Sequence, residues 1–282
     1  MSEIQLTENE KSARSLLDEL LENSKLYKSS KDYFALMKFV ARMRNFAPFN
    51  AMLLQIQKPG LSYAASARDW WERFGRWPIE NARPLLILWP LGPVALVYDV
   101  MDTDGKKPPE DVSCFISIGP VDDDRFNSII RNIKPKNITW EWADQGDRKA
   151  GSIRVLHRST HEKSPSFYQI IINKNHSATV KFSTMVHELG HLYLGHLGTD
   201  MKMKIPSRRD LSYQVRELEA ESVAYLVCAR NGVASKSETY LTNHVKKGMT
   251  VDNIDLYQIM RAAGQVEKLL GLTDHTGFDR PK

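Results

Sequence analysis

His187-Glu188-Leu189-Gly190-His191 governs how the C-terminal half of this chain is read. On a helix, positions i and i+4 share a face, about 5–6 Å apart at Cβ. Two imidazoles placed in this way can both reach one Zn2+ at about 2.0–2.1 Å. Glu188 sits about 100° round the helix, where it can reach a water on the metal without ligating the metal. Chance alone would yield the pattern in roughly 1% of chains of this length and composition. Phe182, Met185, Val186, Leu189, Leu192 and Tyr193 surround it with apolar positions at helical spacing. A buried helix with merely hydrogen-bonded histidines is the competing reading. It would leave two imidazoles hard to satisfy.

A peptidase zinc site needs a third protein ligand and an open fourth position. The longer histidine motif of one zinc-peptidase class would require histidine at 197, where Leu197 stands. His196 comes one residue early and reads as a cap on the helix carbonyls or as a support behind the ligands. The next carboxylates are Glu217, Glu219 and Glu221. Glu219 shares a stripe with Val215, Leu218, Ser222 and Leu226, and an ionisable group in an apolar stripe needs a partner. Glu219 is therefore the expected third ligand. Glu217 and Glu221 share another face and read as solvated or paired with Arg216 or a lysine. Tyr193, Tyr213, Tyr225 and His196 are candidates to steady an oxyanion. Upstream, the strand Phe167–Asn173 could pair with an extended peptide. Its continuous apolar run favours an ordinary interior strand instead.

Further out, helices are expected over residues 8–28, 31–45, Pro48–Gln57 and from the Ser66 cap to the Gly75 stop. Strands are expected at Leu85–Trp89 and Val94–Val100, followed by a turn-rich stretch and a boundary near residue 112. Val112–Ile118, Ile138–Trp142, Ile153–His157 and Phe167–Ile172 read as strands, with a helix near Asp124–Ile133. From Ser177 the chain reads as helical, over about 178–196, 210–231, 235–246 and 251–270.

The length of 282 residues allows one large domain or two small ones. Hydrophobic residues at 42% and charged residues at 26% exclude a disordered or collagen-like chain. Cys114 and Cys228 form no C-x-x-C pair, which excludes thiolate-held zinc and suits a reducing compartment. Residues 1–27 lack an apolar core with a cleavage site. Leu85–Tyr98 is broken by Pro90, Gly92 and Pro93 and is too short for a membrane span. A soluble cytoplasmic protein without a membrane partner is the expectation.

The net charge of +5 is concentrated in residues 38–83. Lys38, Arg42, Arg44, Lys58, Arg68, Arg73, Arg76 and Arg83 there face only Asp69, Glu72 and Glu80. Phe46, Phe49, Tyr63, Trp70, Trp71 and Trp77 are interleaved with them. Cations that track phosphates and rings that stack bases suit a single strand. The candidate contacts are Arg42, Arg44, Lys58, Arg68, Trp70, Arg73, Arg76 and Trp77. The plainer reading is a set of core aromatics with a solvated basic face.

Ile-Ile-Asn173, His187-Glu-Leu-Gly-His-Leu-Tyr-Leu-Gly-His196 and Glu217-x-Glu-Ala together resemble the ImmA/IrrE metallopeptidases. The whole chain is similar to the ArdC-type antirestriction proteins. That likeness rests on Asn50-Ala-Met-Leu-Leu-Gln-Ile-Gln57, Trp70-Trp71 with Phe74-Gly75, Leu86–Pro90, Val97–Gly105 and Arg216–Tyr225, over roughly residues 30–245. The resemblance implies an α+β chain. Residues 1–112 would be a helical and β single-stranded-DNA-binding domain, and residues 113–282 a zincin-like metallopeptidase domain with a small mixed sheet and the HExxH helix. His187, His191 and Glu219 match the zinc ligands and Glu188 the catalytic glutamate. Zn2+ and single-stranded DNA are the implied cofactor and partner, with an unidentified protein substrate. Two departures stand out: Glu221 replaces the usual Asp or Asn, and Asn81-Ala-Arg-Pro84 replaces a Lys-Gly-Glu run. Two other functions remain open, a non-catalytic DNA-binding antirestriction protein with structural zinc and a regulatory protease that cuts a repressor.

Overall fold

The computed structural model describes residues 27, 29–89, 92–107, 121–144, 146, 150–246 and 253–273. The expected helix over 8–28, apart from Tyr27, lies outside these residues. So do the boundary near 112 and the strand Val112–Ile118. The described residues form a mixed α+β fold with eight α-helices and small sheets. The chain divides into two compact units. One comprises Met1–Lys28, Lys38–Phe115 and Asp274–Lys282, and the other Ser29–Met37 and Ile116–Thr273.

Helix α1 (Ser30–Arg42) gives its residues up to Met37 to the second unit and Lys38–Arg42 to the first. In the first unit, the proline of α2 (Pro48–Gln57) opens the first turn where no N–H is needed. Helix α3 (Ala67–Phe74) starts at Ser66, whose hydroxyl accepts the Asp69 N–H at 3.1 Å. It stops at Gly75, whose φ of 59° is the left-handed conformation that glycine tolerates. Strands β3 (Leu85–Trp89) and β4 (Gly92–Asp99) pair antiparallel, and β1 (Ala64–Ala65) pairs with β4. Strands β2 (Arg76–Pro78) and β5 (Thr103–Gly105) form a second ribbon. These two- and three-residue strands are too short to leave a periodic pattern in the sequence.

Asn50 and Gln57 explain part of the Asn50–Gln57 motif. Two turns apart on α2, they share a face. The Asn50 amide exchanges hydrogen bonds with Leu88 N–H and C=O at 2.9 and 3.0 Å. The Gln57 amide does the same with Leu86 at 2.8 and 2.7 Å. Side chains thus satisfy the β3 edge that an open sheet would leave bare.

In the second unit, α4 (Asp123–Arg131) precedes a three-stranded sheet of β6 (Ile138–Ala143), β7 (Gly151–His157) and β8 (Phe167–Asn173). The order is β6-β8-β7, with β6 parallel and β7 antiparallel to β8. Strand β8 is therefore interior, as its apolar run suggested. Tyr168, Ile170 and Ile172 turn to the core. On the opposite face Arg154, Gln169 and Glu141 form a hydrogen-bonded row at 2.7 and 3.1 Å.

Helix α5 (Ala178–Tyr193) packs on this sheet and on α6 (Tyr213–Arg230) and α8 (Leu256–Leu270), and α7 (Lys236–Lys246) follows α6. Phe182, Met185, Val186 and Leu189 of α5 are fully buried. A buried ion pair, Arg230 Nε to Glu267 Oε1 at 2.7 Å, ties α6 to α8. Gly151 brings β7 close to α5. A Cβ there would lie 2.6 Å from both Ile171 O and Thr184 Cγ2. No described helix is long and apolar enough to cross a membrane.

Candidate functional site

His187 and His191 lie on one face of α5, and their Nε2 atoms are 3.0 Å apart. Glu217, on α6, faces both. Its carboxylate oxygens stand 3.6 Å from His187 Nε2 and 3.5 Å from His191 Nε2. Glu221, one turn further along α6, lies 3.5 Å from the other ring nitrogen of His187, Nδ1. The i, i+4 spacing of Glu217 and Glu221 sets both on the face turned to α5. The sequence expectation for that face is solvent or a pairing with Arg216 or a lysine; the structure turns it to the histidines instead.

Glu219 is placed differently from the expectation. Two residues from Glu217 on a helix means about 200° of rotation. Its side chain is wholly buried. Oε1 accepts from Arg208 Nη2 at 2.6 Å and from the Asp255 N–H at 2.9 Å. Oε2 accepts from Arg208 Nη1 at 2.7 Å and faces His196 Nε2 at 3.0 Å. Four donors occupy the roughly four acceptor sites of a carboxylate, leaving none for a metal. Glu219 has the partner that its apolar stripe requires. That partner is an arginine and a histidine, and it is Glu217 that stands with the histidine pair.

Gly195 brings His196 into place. Its φ of 78° ends α5 earlier than the expected residue 196 and folds the chain back. A Cβ at Gly195 would lie 2.0 Å from Pro206 O, so only glycine fits. The His196 N–H then bonds His191 O at 3.0 Å, and the two Nδ1 atoms meet at 2.9 Å. His196 thus stands behind His191, on the side away from His187 and Glu217.

Burial first, then the nearby His187, His196 and Arg216, push the His191 pKa down to about 2. The neutral imidazole is the form that ligates metal. Burial also lowers the His196 pKa against the opposing pull of Glu219. For Glu219, burial would raise the pKa, but the bonds from His196, Arg208 and the Asp255 amide hold it below the usual carboxylate range.

A cleft of about 450 Å3 opens at the pair, lined by Gly151, Thr184, His187, Glu188, Glu217 and Glu221. Glu188 thus shares the cleft with His187, Glu217 and Glu221. Of the tyrosine candidates, Tyr193 and Tyr225 are buried and Tyr213 is exposed, and none of the three lines the cleft. Tyr240, which the sequence reading did not single out, titrates high through burial and the nearby Glu221 and Glu217 carboxylates. Its place on a short polar helix carried no signal of this.

The donor set fits a zinc ion. One ligand atom each from His187, His191 and Glu217 lie within 4.8 Å of one another. Two imidazole nitrogens and a carboxylate oxygen are the usual ligands of an open zinc site.

The basic, aromatic segment of the first unit is sorted by burial. Trp70 is fully buried, donates to Tyr98 O at 2.9 Å and stands edge-on to Tyr63, so it belongs to the core. Arg44 is buried. Arg76 is also buried and spends its guanidinium on Thr103 and Lys106. These three are corrected from candidate contacts to structural residues. Arg42 donates to Leu61 O, Lys58 bridges Asp99 and Asp102, and Arg68 pairs with Glu72. Arg42 and Arg68 are exposed though paired; Arg73, Trp77 and Trp71, the last an interleaved aromatic that was not among the candidate contacts, are exposed too. Trp71 is 63% and Trp77 49% exposed, with ring centroids 6.0 Å apart. They line a hollow with Arg73, Phe74 and Lys106. Trp70 and Phe74 at i, i+4 mark the core face of α3, and Trp71 lies about 100° away from it. That spacing was the available signal.

Residues 148–230 match the family model Peptidase_M78, the IrrE N-terminal-like domain. The match takes in β7, β8, α5 and α6, and so His187, Glu188, His191 and Glu217. No curated protein and no solved structure matches the chain.

Proposed function

We propose that this protein is a zinc-dependent peptidase whose first unit binds single-stranded DNA, in the service of antirestriction. The convergence of His187, His191 and Glu217, with Glu188 in the same cleft as His187 and Glu217, carries the peptidase part of this reading. His187, His191 and Glu217 would hold the ion. When bound, zinc supplies Lewis-acid polarisation of a carbonyl and activation of water.

The residues of the chain do the rest. Glu188 takes a proton from the attacking water and delivers it to the leaving amine. Glu221, at His187 Nδ1, holds that ring with Nε2 toward the cleft. Strand β7 pairs only with β8 among the described strands, so its other edge is open to an extended peptide. This replaces β8 as the substrate strand. Trp71 and Trp77 with Arg73 and Lys106 offer stacking faces and cations to a single strand.

Glu188→Gln tests the peptidase reading against candidate proteins that act on DNA. The variant should bind zinc like the wild type and lose hydrolysis. Undiminished hydrolysis would overturn the mechanism. The likeness to an IrrE-type domain favours a second reading, a regulatory peptidase that cuts a repressor. Salt-independent behaviour of the first unit toward oligonucleotides would favour it.

A further inference from the structure

We infer that Arg208, Glu219 and His196 are positioning residues that fix the ring of His191 with its Nε2 lone pair facing Glu217 and His187. The inference rests on the metal reading above and extends it to residues that touch no ligand site.

The direction of each hydrogen bond follows from which atoms can donate. Glu219 is held as a carboxylate by both arms of Arg208 and by the Asp255 N–H, so it only accepts. The His196 ring nitrogen 3.0 Å from it, Nε2, must therefore carry the hydrogen. With Nε2 bonded to Glu219, the His196 ring turns Nδ1 to His191, and on the metal reading above His191 keeps Nε2 bare, so His196 Nδ1 is the acceptor of the pair. The atom 2.9 Å from that Nδ1 is His191 Nδ1, which must be the donor. A neutral His191 protonated at Nδ1 has its lone pair on Nε2. That atom lies 3.0 Å from His187 Nε2 and 3.5 Å from Glu217.

This chain of contacts joins four separate stretches of sequence. His196 follows α5, Arg208 lies in the next loop, Glu219 lies on α6, and Asp255 caps α8. Asp255 falls outside the residues that match the peptidase family model. Helix α8 therefore contributes to the metal centre by seating Glu219. Loss of such outer partners costs about 10–100-fold in metal affinity.

The test uses the full chain with two readouts. Nitrogen-15 NMR of the metal-free wild type should show His191 protonated at Nδ1 and bare at Nε2. The opposite tautomer would overturn the inference whatever the variants do. Zinc competition against a chromophoric chelator should show a loss of about 10–100-fold for His196→Ala and for Glu219→Gln. His191 should then populate both tautomers in these proteins. Folded variants with wild-type zinc affinity and an unchanged tautomer would overturn it. Glu217→Ala is the control for the underlying reading. If it leaves zinc affinity unchanged, the ligand assignment fails, while the tautomer of His191 still judges the relay separately.

Discussion

Glu217 and Glu219 stand two residues apart on α6, and only Glu217 turns its carboxylate to the paired histidines. Glu217 Oε1 lies 3.5 Å from His191 Nε2, whereas Glu219 is closed off by Arg208 at 2.6 and 2.7 Å. One group is left with acceptor capacity at the cleft and the other has none. The two should respond differently to the same truncation.

Glu217→Ala should lower zinc affinity by more than about 100-fold, beyond the range of outer-shell losses. Its metal-free stability should stay within about 0.5 kcal/mol of wild type, because the side chain is part-exposed. Glu219→Ala should instead destabilise the metal-free protein by about 3–5 kcal/mol by stranding a buried Arg208 contact. Urea unfolding in chelator, beside a zinc titration, separates the two.

Trp70→Ala and Trp71→Ala should also part company. The first opens a cavity in the core and should cost about 3–5 kcal/mol of stability. The second should leave stability within about 0.5 kcal/mol and weaken single-stranded oligonucleotide binding by about 1–3 kcal/mol. Fluorescence anisotropy at several salt concentrations measures the binding. Equal affinity for wild type and Trp71→Ala would remove the stacking surface from the proposal.

The buried pair Arg230–Glu267 predicts a third asymmetry. Glu267→Ala leaves Arg230 charged inside the α6–α8 contact and should cost about 3–5 kcal/mol. Replacing both residues with apolar side chains of similar volume should recover most of that loss. A double variant no more stable than the single would contradict this.

Alkaline pH should destabilise the second unit in two stages. Burial pushes the Cys228 thiol from 9.0 up to about 12. Burial likewise pushes Tyr193 and Tyr225 from 10.0 up to about 12. Below pH 9 these groups are protonated in both states, so their contribution is complete. As pH rises toward 12 the unfolded chain ionises first, and the contribution is lost. Each group can remove up to about 1.4 kcal/mol per pH unit over that window. Cys228→Ala should flatten the fall in Tm between pH 9 and 10. An unchanged slope there would show that the thiol is not the group responsible.

Much of both units could be read from local pattern. The α5 helix, its two histidines, Glu188 and the Ser66 and Gly75 signals around α3 depend on neighbours within a few residues. The strands β6, β7 and β8 showed as β-rich runs, but their pairing order did not. Nothing local says that Gly151–His157 takes the edge and Phe167–Asn173 the middle.

The residues of Ser177–Leu192 and the carboxylates that follow determined on their own that a metal-capable helix would form and that Glu219 would be buried. Helical spacing and the cost of burying charge act within one element, and sequence records both. Which glutamate faces the paired histidines depended on Arg208, His196 and Asp255, which lie 11, 23 and 36 residues from Glu219. Likewise, the core contact of Trp70 with Tyr98 spans 28 residues, and it leaves Trp71 outside. Partners that distant meet only when the chain has folded. The choice between neighbouring residues of the same type was therefore made by packing.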